Sequence, residues 1–66
     1  MRAKLKEIRI SRGFTQKALA DMAEIDRSFY TNIELGVKTP SLQVAMKIKK
    51  ALEYYDDDIF LIINVA

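Results

Sequence analysis

Between positions 27 and 32 the chain reads Arg-Ser-Phe-Tyr-Thr-Asn, which places several donor and acceptor side chains on a short segment. On one face of a helix, an arginine can donate two parallel hydrogen bonds to guanine, and an asparagine can pair in the same way with adenine. A phenylalanine ring can pack on a thymine methyl group, and serine and threonine are short donors to a base or a phosphate. The candidate base-reading residues are therefore Arg27, Ser28, Phe29, Thr31 and Asn32.

Two short amphipathic segments joined by a tight turn would have to position these side chains, as in a helix-turn-helix. Thr15, Asp26 and Ser41 suit helix N-caps, and Gly13 and Gly36 suit the left-handed position after a helix end. From these caps and the apolar spacing we predict helices at 2–12, 16–23, 27–35 and 42–53, with a short last helix beginning near Ile59. Tyr30 and Ile33 are predicted to point inward.

The C-terminal segment, residues 60–66, is ambiguous because it is rich in β-branched residues and could be a strand rather than a helix. The expected fold is thus all-α, with a C-terminal tail that could be extended. No repeat or linker divides the chain, so we expect residues 1–66 to form a single domain.

The composition excludes several classes of site. The chain has no Cys and no His, which removes disulfides and thiolate or imidazole metal ligands and makes an enzyme a distant expectation. We expect no metal, no cofactor and no small-molecule ligand. The longest apolar run, Ile59 to Ile63, is far shorter than the roughly 20 residues of a membrane span, and no secretory signal is visible. We therefore expect a cytoplasmic protein without membrane contact.

The charges are unevenly distributed. Residues 1–50 hold all 11 Lys and Arg and carry a net charge of +6. The charged residues among 51–66 are all acidic, and this segment carries a net charge of −4. A basic body suits an anionic partner such as nucleic acid, but the same charge could simply keep a small domain soluble.

Three segments, in this order and spacing, carry a resemblance to a known family: LKEIRISRGFTQ (5–16), LADMAEIDRSFYTNIELG (19–36) and TPSLQVAMKIKKAL (39–52). The chain resembles the Cro/C1-type (Xre) helix-turn-helix domains of phage repressors and bacterial regulators. The resemblance implies a compact lambda-repressor-like bundle of four or five helices. It also implies that helix 3 is the recognition helix and that helix 2 crosses the DNA backbone above it.

The resemblance assigns roles to particular positions. Gln16 matches the glutamine that contacts phosphate, and sometimes a base, at the start of helix 2. Lys17 and Lys38 flank the two-helix unit and are expected to meet phosphates. In many family members an arginine of helix 1 pairs with the glutamate that ends helix 3, and Arg9 and Glu34 match those two positions. Such a pair would fix the angle of the recognition helix and would do no chemistry.

Some positions depart from the family pattern. Glu24 stands where the turn between helices 2 and 3 usually has Gly, and a non-Gly residue in a left-handed turn costs roughly 1 kcal/mol unless the turn is reshaped. Leu35 and Val37 replace polar or basic residues that would contact phosphate. At the end of helix 4, residues 53–55 replace a Gly-containing turn.

The expected function is a sequence-specific transcriptional regulator, a repressor more readily than an activator, that binds a palindromic operator in double-stranded DNA as a homodimer. The apolar side chains of the tail could form the dimer interface or could cap the core; they are Phe60, Leu61, Ile62, Ile63 and Val65. Two alternatives remain open: an antitoxin-type protein that also binds a toxin, and a protein-interaction module that has lost DNA binding.

Overall fold

The structure, a computed structural model, describes residues 1–61, and all of their regular structure is helical. It contains four α-helices and one turn of 3-10 helix: α1 (Ala3–Ser11), α2 (Gln16–Met22), α3 (Arg27–Leu35), α4 (Leu42–Leu52) and the 3-10 helix (Asp57–Phe60). The predicted all-α fold is confirmed. The predicted ends of the four α-helices differ from the observed ones by a residue at most, whereas the short last helix, expected to begin near Ile59, is a 3-10 turn that begins at Asp57. The question of an extended tail falls mostly on residues 62–66, which lie outside the described residues.

Side chains of the predicted capping residues begin three of the helices. The Thr15 hydroxyl accepts the Ala18 N–H at 3.0 Å, the Asp26 carboxylate accepts the Ser28 N–H at 2.9 Å, and the Ser41 hydroxyl accepts the Val44 N–H at 3.2 Å. Each of these bonds satisfies an amide that has no partner within its own helix. The three starts are therefore determined locally, by the residue immediately before each helix.

A left-handed residue follows each of the four α-helices, beginning with Gly13 after α1, as predicted, with φ 79°. Gly36 follows α3 with φ 87°, where a glycine pays no steric penalty. Glu24, in the turn between α2 and α3, has φ 58°, so the turn keeps the left-handed form that its family position requires without the glycine. Glu53, after α4, does the same with φ 52°. Each of these two glutamates costs roughly 1–2 kcal/mol relative to the right-handed region.

A single apolar core holds the helices at their mutual angles, with α2 packed on both α3 and α4, and α1 packed on α3 and the 3-10 helix. The fully buried apolar residues are Leu5, Leu19, Ala20, Ala23, Tyr30, Ile33, Ile48, Leu52 and Ile59. Tyr30 and Ile33 point inward as predicted. Leu42, which shares its predicted face with Ile48 and Leu52, is instead exposed at the first turn of α4.

Arg2 is a buried residue that the sequence did not single out. Its guanidinium donates to the carbonyl oxygens of Phe60 at 3.0 Å and Lys38 at 2.9 Å, and also to that of Ile33 in the last turn of α3. Its backbone N–H donates to the Glu34 carbonyl at 2.8 Å. A cation at these carbonyl groups complements the negative end of the α3 dipole. Arg2 thereby ties the start of α1 to the end of α3 and to the 3-10 helix.

Candidate nucleic-acid interface

The first turn of α3 is open to solvent. Arg27 and Ser28 are exposed, and the side chain of neither takes part in a hydrogen bond or ion pair within residues 1–61. The Asp26 cap places them at the very start of the helix, where the free backbone N–H groups favour a nearby phosphate. Both side chains are thus available to a partner with base-edge or phosphate chemistry.

Phe29 is half-buried and packs against the apolar core. The structure therefore places part of its ring inside the domain, and only the remainder is available to a thymine methyl group. Asn32 is also half-buried. Its backbone carbonyl accepts the N–H groups of Val37 at 2.9 Å and Lys38 at 3.1 Å. Its side-chain amide remains for other partners. Asn32 thus fixes the chain leaving α3 through its backbone.

Gln16 and Thr31 contact each other, although they lie on different helices of the motif. The Thr31 hydroxyl donates to Oε1 of Gln16 at 3.0 Å, and Nε2 of Gln16 donates a longer bond of 3.4 Å to Oε1 of Glu34. An ionised carboxylate only accepts, so the amide nitrogen of Gln16 must face Glu34 and the amide oxygen must face Thr31. Gln16 consequently presents its remaining N–H and its remaining lone pair in a fixed arrangement.

The orientation of Gln16 depends on a buried ion pair between α1 and α3. Nε and Nη2 of Arg9 donate to Oε2 and Oε1 of Glu34 at 3.0 Å and 3.1 Å, which is a bidentate pair. The side chains are only 10% and 3% exposed. The third donor, Nη1 of Arg9, reaches the Phe14 carbonyl in the α1–α2 loop at 2.8 Å.

The hydroxyl of Tyr30 completes this network by donating to Oε2 of Glu34 at 2.6 Å. Among residues 1–61, no buried side-chain nitrogen or oxygen lacks a hydrogen-bond partner, so the charges are buried with their partners in place. Arg9, Tyr30 and Glu34 thus form a closed polar cluster in the apolar interior.

The network shifts the pKa of each of its acids and bases. Burial by itself raises the pKa of the Glu34 carboxyl, but hydrogen bonds from Arg9 and Tyr30 outweigh burial and hold it below its usual value. The hydrogen bond to Glu34 raises the pKa of Arg9. Burial, followed by the hydrogen bond to Glu34, raises the pKa of Tyr30 far above that of a free phenol. Near neutral pH the cluster therefore holds one cation, one anion and one neutral phenol.

The two predicted phosphate-binding lysines lie at the edges of the motif. Lys17, in the first turn of α2, pairs with Asp21 at 3.0 Å, but both side chains are largely exposed, and such a pair is worth little in water. Lys38 is exposed after α3, and its backbone carbonyl is held by Arg2. The nearby Leu35 and Val37 are 51% and 69% exposed, so an apolar strip lies between α3 and Lys38 where the family pattern has polar side chains.

The fold and these positions define the class of protein: a small helical domain in which a buried ion pair joins α1 to a third helix whose first turn is exposed. The family of helix-turn-helix domains has a model that matches residues 3–66, nearly the whole chain. The chain belongs to this family and is of the Cro/C1 (Xre) type.

Several curated relatives carry the same designation. A protein of Bacillus subtilis named as the uncharacterized HTH-type transcriptional regulator YqaF is 44% identical over 54 residues, which cover 82% of this chain and 71% of the relative. A second from the same organism, YgzD, is 37% identical and is covered over 91% of both chains. An uncharacterized HTH-type transcriptional regulator of Archaeoglobus fulgidus is 33% identical over 92% of this chain and 87% of its own length. No solved structure shows significant similarity to the chain.

Two site features were beyond sequence reasoning. The Gln16–Thr31 bond joins residues 15 positions apart on different helices. Arg2 precedes the first helix, and its sequence context contains no signal for burial.

No helix within residues 1–61 is long and apolar enough to cross a bilayer.

Proposed function

We propose that this chain is a sequence-specific DNA-binding transcriptional regulator, a repressor that binds a palindromic operator as a homodimer. One observation carries the proposal. The exposed start of α3, with Arg27 and Ser28, lies on the same two-helix motif as a Gln16 amide whose orientation is set by Thr31 and Glu34. Side chains held in one arrangement can discriminate between bases, because the wrong base leaves their donors unpaired.

In this proposal α3 enters the major groove. Arg27 pairs with a guanine, Asn32 with an adenine, and Ser28 and the exposed part of Phe29 contact the neighbouring base or phosphate. Gln16, Lys17 and Lys38 meet phosphates on either side and set the register of the domain. The Arg9–Glu34 pair acts only on the angle between α1 and α3. Membership of the family and the regulator names of the relatives support this assignment.

The small size of the DNA-reading surface on α3 supports a homodimer. One recognition helix covers too few base pairs for strong discrimination, whereas a two-fold dimer reads two half-sites about 34 Å apart. Of the predicted tail interface, Ile62, Ile63 and Val65 lie outside the described residues. Phe60 packs partly against the core, and Leu61 is exposed. A repressor requires only that the dimer occupy a promoter, and such a regulator acts in the cytoplasm on double-stranded DNA.

A protein-interaction module is the second candidate, and the apolar strip of Leu35 and Val37 favours it. These exposed side chains stand where the family pattern has phosphate contacts, and they suit contact with another protein. An antitoxin would combine both properties by binding DNA through α3 and a toxin through another surface. A toxin-like gene beside the gene for this chain would distinguish the antitoxin from a free-standing repressor.

The deciding experiment is selection from a pool of random double-stranded DNA with the purified full chain. We expect enrichment of a two-fold symmetric sequence, and we expect Arg27→Ala to lose its preference at one base pair in each half. Lys6→Ala, an exposed change on α1 outside the motif, is the matched control and should select the same sequence as the unchanged chain. If no sequence is enriched and no DNA is bound at low salt, the protein-interaction module replaces the repressor.

A further inference from the structure

A groove of about 710 Å³ runs along the outer side of α4. It is lined by six residues of α4 and the segment after it, which we call the α4 face: Gln43, Met46, Lys47, Lys49, Lys50 and Tyr55. A neighbouring depression of about 400 Å³ shares Lys47 and Lys50 with it and extends to Met22, Glu24 and Ala51. The two depressions therefore form one surface that reaches from the end of α2 to the chain beyond α4.

The α4 face is apolar at its base and charged at its edges. Met46 is 58% exposed and Tyr55 is 71% exposed, large values for side chains of this kind in a small domain. Exposed apolar groups rimmed by charges are typical of a surface that another protein covers. The face does not belong to the proposed DNA-reading surface, because none of its residues lies on α3 or at the start of α2.

The positive charges of the α4 face and the negative charges beside it lie on successive segments of the chain. The lysines of the face lie on α4, and the acidic segment Glu53 to Asp58 follows immediately along the chain. Two of the three lysines already have an acidic neighbour: Nζ of Lys49 lies 2.7 Å from Asp57, with the Lys49 side chain 19% exposed, and Nζ of Lys47 lies 3.8 Å from Glu24. Lys50 and Glu53 are both exposed, and within residues 1–61 neither takes part in an ion pair.

We infer that a second copy of this chain docks on the α4 face about a two-fold axis. Lys50 and Glu53 are one helical turn apart, so an axis that passes between them places each Lys50 opposite the partner's acidic segment. In a two-fold interface every such contact occurs twice, because the same patch is used by both copies. The apolar side chains Met46 and Tyr55 lie on either side of these charged pairs and cover apolar side chains of the other copy. This inference rests on the proposed homodimer and names its surface.

The observations favour a second copy over two other occupants. DNA phosphates would meet Lys47 and Lys50, but they would also approach the acids of residues 53–58, and the apolar base of the groove has nothing to offer a phosphate. An unrelated acidic protein would satisfy Lys50 and leave Glu53 without a partner. A second copy satisfies both of these charges with one surface. Within the described part of the predicted tail interface, Leu61 is exposed and Phe60 is half-buried.

The test is a charge swap in the full chain, measured by sedimentation equilibrium at low salt. Lys50→Glu puts two acidic groups together twice in each dimer, and Glu53→Lys puts two lysines together twice. We expect each variant alone to dimerise at least about tenfold more weakly than the unchanged chain. Lys6→Glu, which makes the same charge change on an exposed α1 residue, should leave dimerisation unchanged. Circular dichroism and melting temperature show that each variant is folded.

Mixing the two variants separates contact between copies from contact within one copy. An equimolar mixture of Lys50→Glu and Glu53→Lys restores both attractive contacts in the heterodimer, while any pairing within one chain stays broken. With one variant isotope-labelled, native mass spectrometry should therefore show heterodimers in excess of both homodimers. The inference is overturned if the mixture stays monomeric, or if the single variants dimerise as well as the unchanged chain. It is also overturned if Leu61→Asp abolishes the dimer while Lys50→Glu does not.

The dimer surface and the DNA-binding function can be contradicted by different results. If the unchanged chain is a monomer that still selects a DNA sequence, the α4 face is not a dimer surface and the DNA-binding function stands. If the chain dimerises through the α4 face but binds no DNA, the docking surface stands and the repressor does not. If Lys50→Glu weakens DNA binding of a half-site while the mass is unchanged, the lysines contact phosphate and the inference is wrong.

Discussion

The Tyr30 hydroxyl donates a 2.6 Å hydrogen bond to the same Glu34 oxygen, Oε2, that accepts the Nε donor of Arg9. The phenol therefore adds a third member to the Arg9–Glu34 ion pair. Because Oε1 of Glu34 faces Gln16, the phenol, the ion pair and the candidate DNA-contacting amide form one connected network.

Replacing Tyr30 by Phe removes the hydroxyl and keeps the ring in the core. We expect the free energy of unfolding to fall by about 1–3 kcal/mol, since the lost bond is buried and its acceptor is charged. Urea unfolding at neutral pH measures this. Tyr54→Phe is the matched control, because its hydroxyl bonds Asp58 at 2.8 Å in a more exposed place, and it should lose less. Equal losses in the two variants would show that burial adds nothing to the Tyr30 bond.

The stability of the domain should decline at both acid and alkaline pH, because folding shifts the pKa values of Glu34 and Tyr30. The pKa of folded Glu34 is depressed, so its contribution is complete above the unfolded value of about 4.3 and is lost as the pH falls through the folded value. The pKa of folded Tyr30 is raised, so the unfolded state releases its phenol proton first and stability falls as the pH rises above about 10.

Urea unfolding from pH 2 to 12 tests these two limbs. Tyr30→Phe should make the alkaline decline shallower by about 1.4 kcal/mol per pH unit, which is the share of one titrating group. Tyr54, whose pKa is raised to about 12 chiefly by its hydrogen bond to Asp58, should contribute to the same limb. An alkaline limb that is unchanged in Tyr30→Phe would contradict the burial of a neutral phenol.

Arg9 and Glu34 should show strong coupling in a double-mutant cycle. Arg9→Met or Glu34→Gln leaves one charge buried without its partner, and each should destabilise the domain by about 3–5 kcal/mol. The double variant removes both charges and should lose much less than the sum of the two. Lys17 and Asp21, an exposed pair, provide the control cycle, with coupling of about 0.5 kcal/mol or less. Additive losses at Arg9 and Glu34 would mean that the pair does not act as a unit.

Thr31 should affect DNA recognition through Gln16. Thr31→Val removes the donor to Oε1 of Gln16 and frees the amide to turn, so we expect affinity for the selected site to fall by about 1 kcal/mol. Thr31→Ser keeps the hydroxyl and should restore most of the affinity. In a cycle with Gln16→Ala, the two losses should be clearly non-additive when measured by fluorescence anisotropy. Strict additivity would assign Thr31 a separate DNA contact.

Arg27 and Lys38 should differ in what they contribute to DNA binding. Arg27→Ala should cost about 1–3 kcal/mol on the preferred site and relax the preference at one base pair. Lys38→Ala should weaken specific and random DNA alike and reduce the slope of log K against log salt by about one unit. Titrations at several salt concentrations separate the two patterns. An unchanged slope in Lys38→Ala would remove that lysine from the interface.

The helices and their ends could be predicted from the chain alone, because their signals are local. Thr15, Asp26 and Ser41 each bond to an amide two or three residues away, so their capping role depends on nothing distant. The sequence left two forms open for the turn at Glu24, a left-handed turn or a reshaped one, and the observed φ of 58° is left-handed. The class of fold followed from these signals and from the spacing of the apolar residues.

The relationships that set the candidate site required the tertiary structure. Arg2 is buried because α3 and the 3-10 helix bring carbonyl groups from distant parts of the chain to one point. Phe29 packs against the core because α3 packs on the other helices with that side of its first turn facing them. The orientation of the Gln16 amide depends on Thr31 and Glu34, which reach it across a helix boundary. Residue types and spacing determine which groups are available, but hydrogen bonds between helices depend on distances of a few tenths of an ångström that only packing decides.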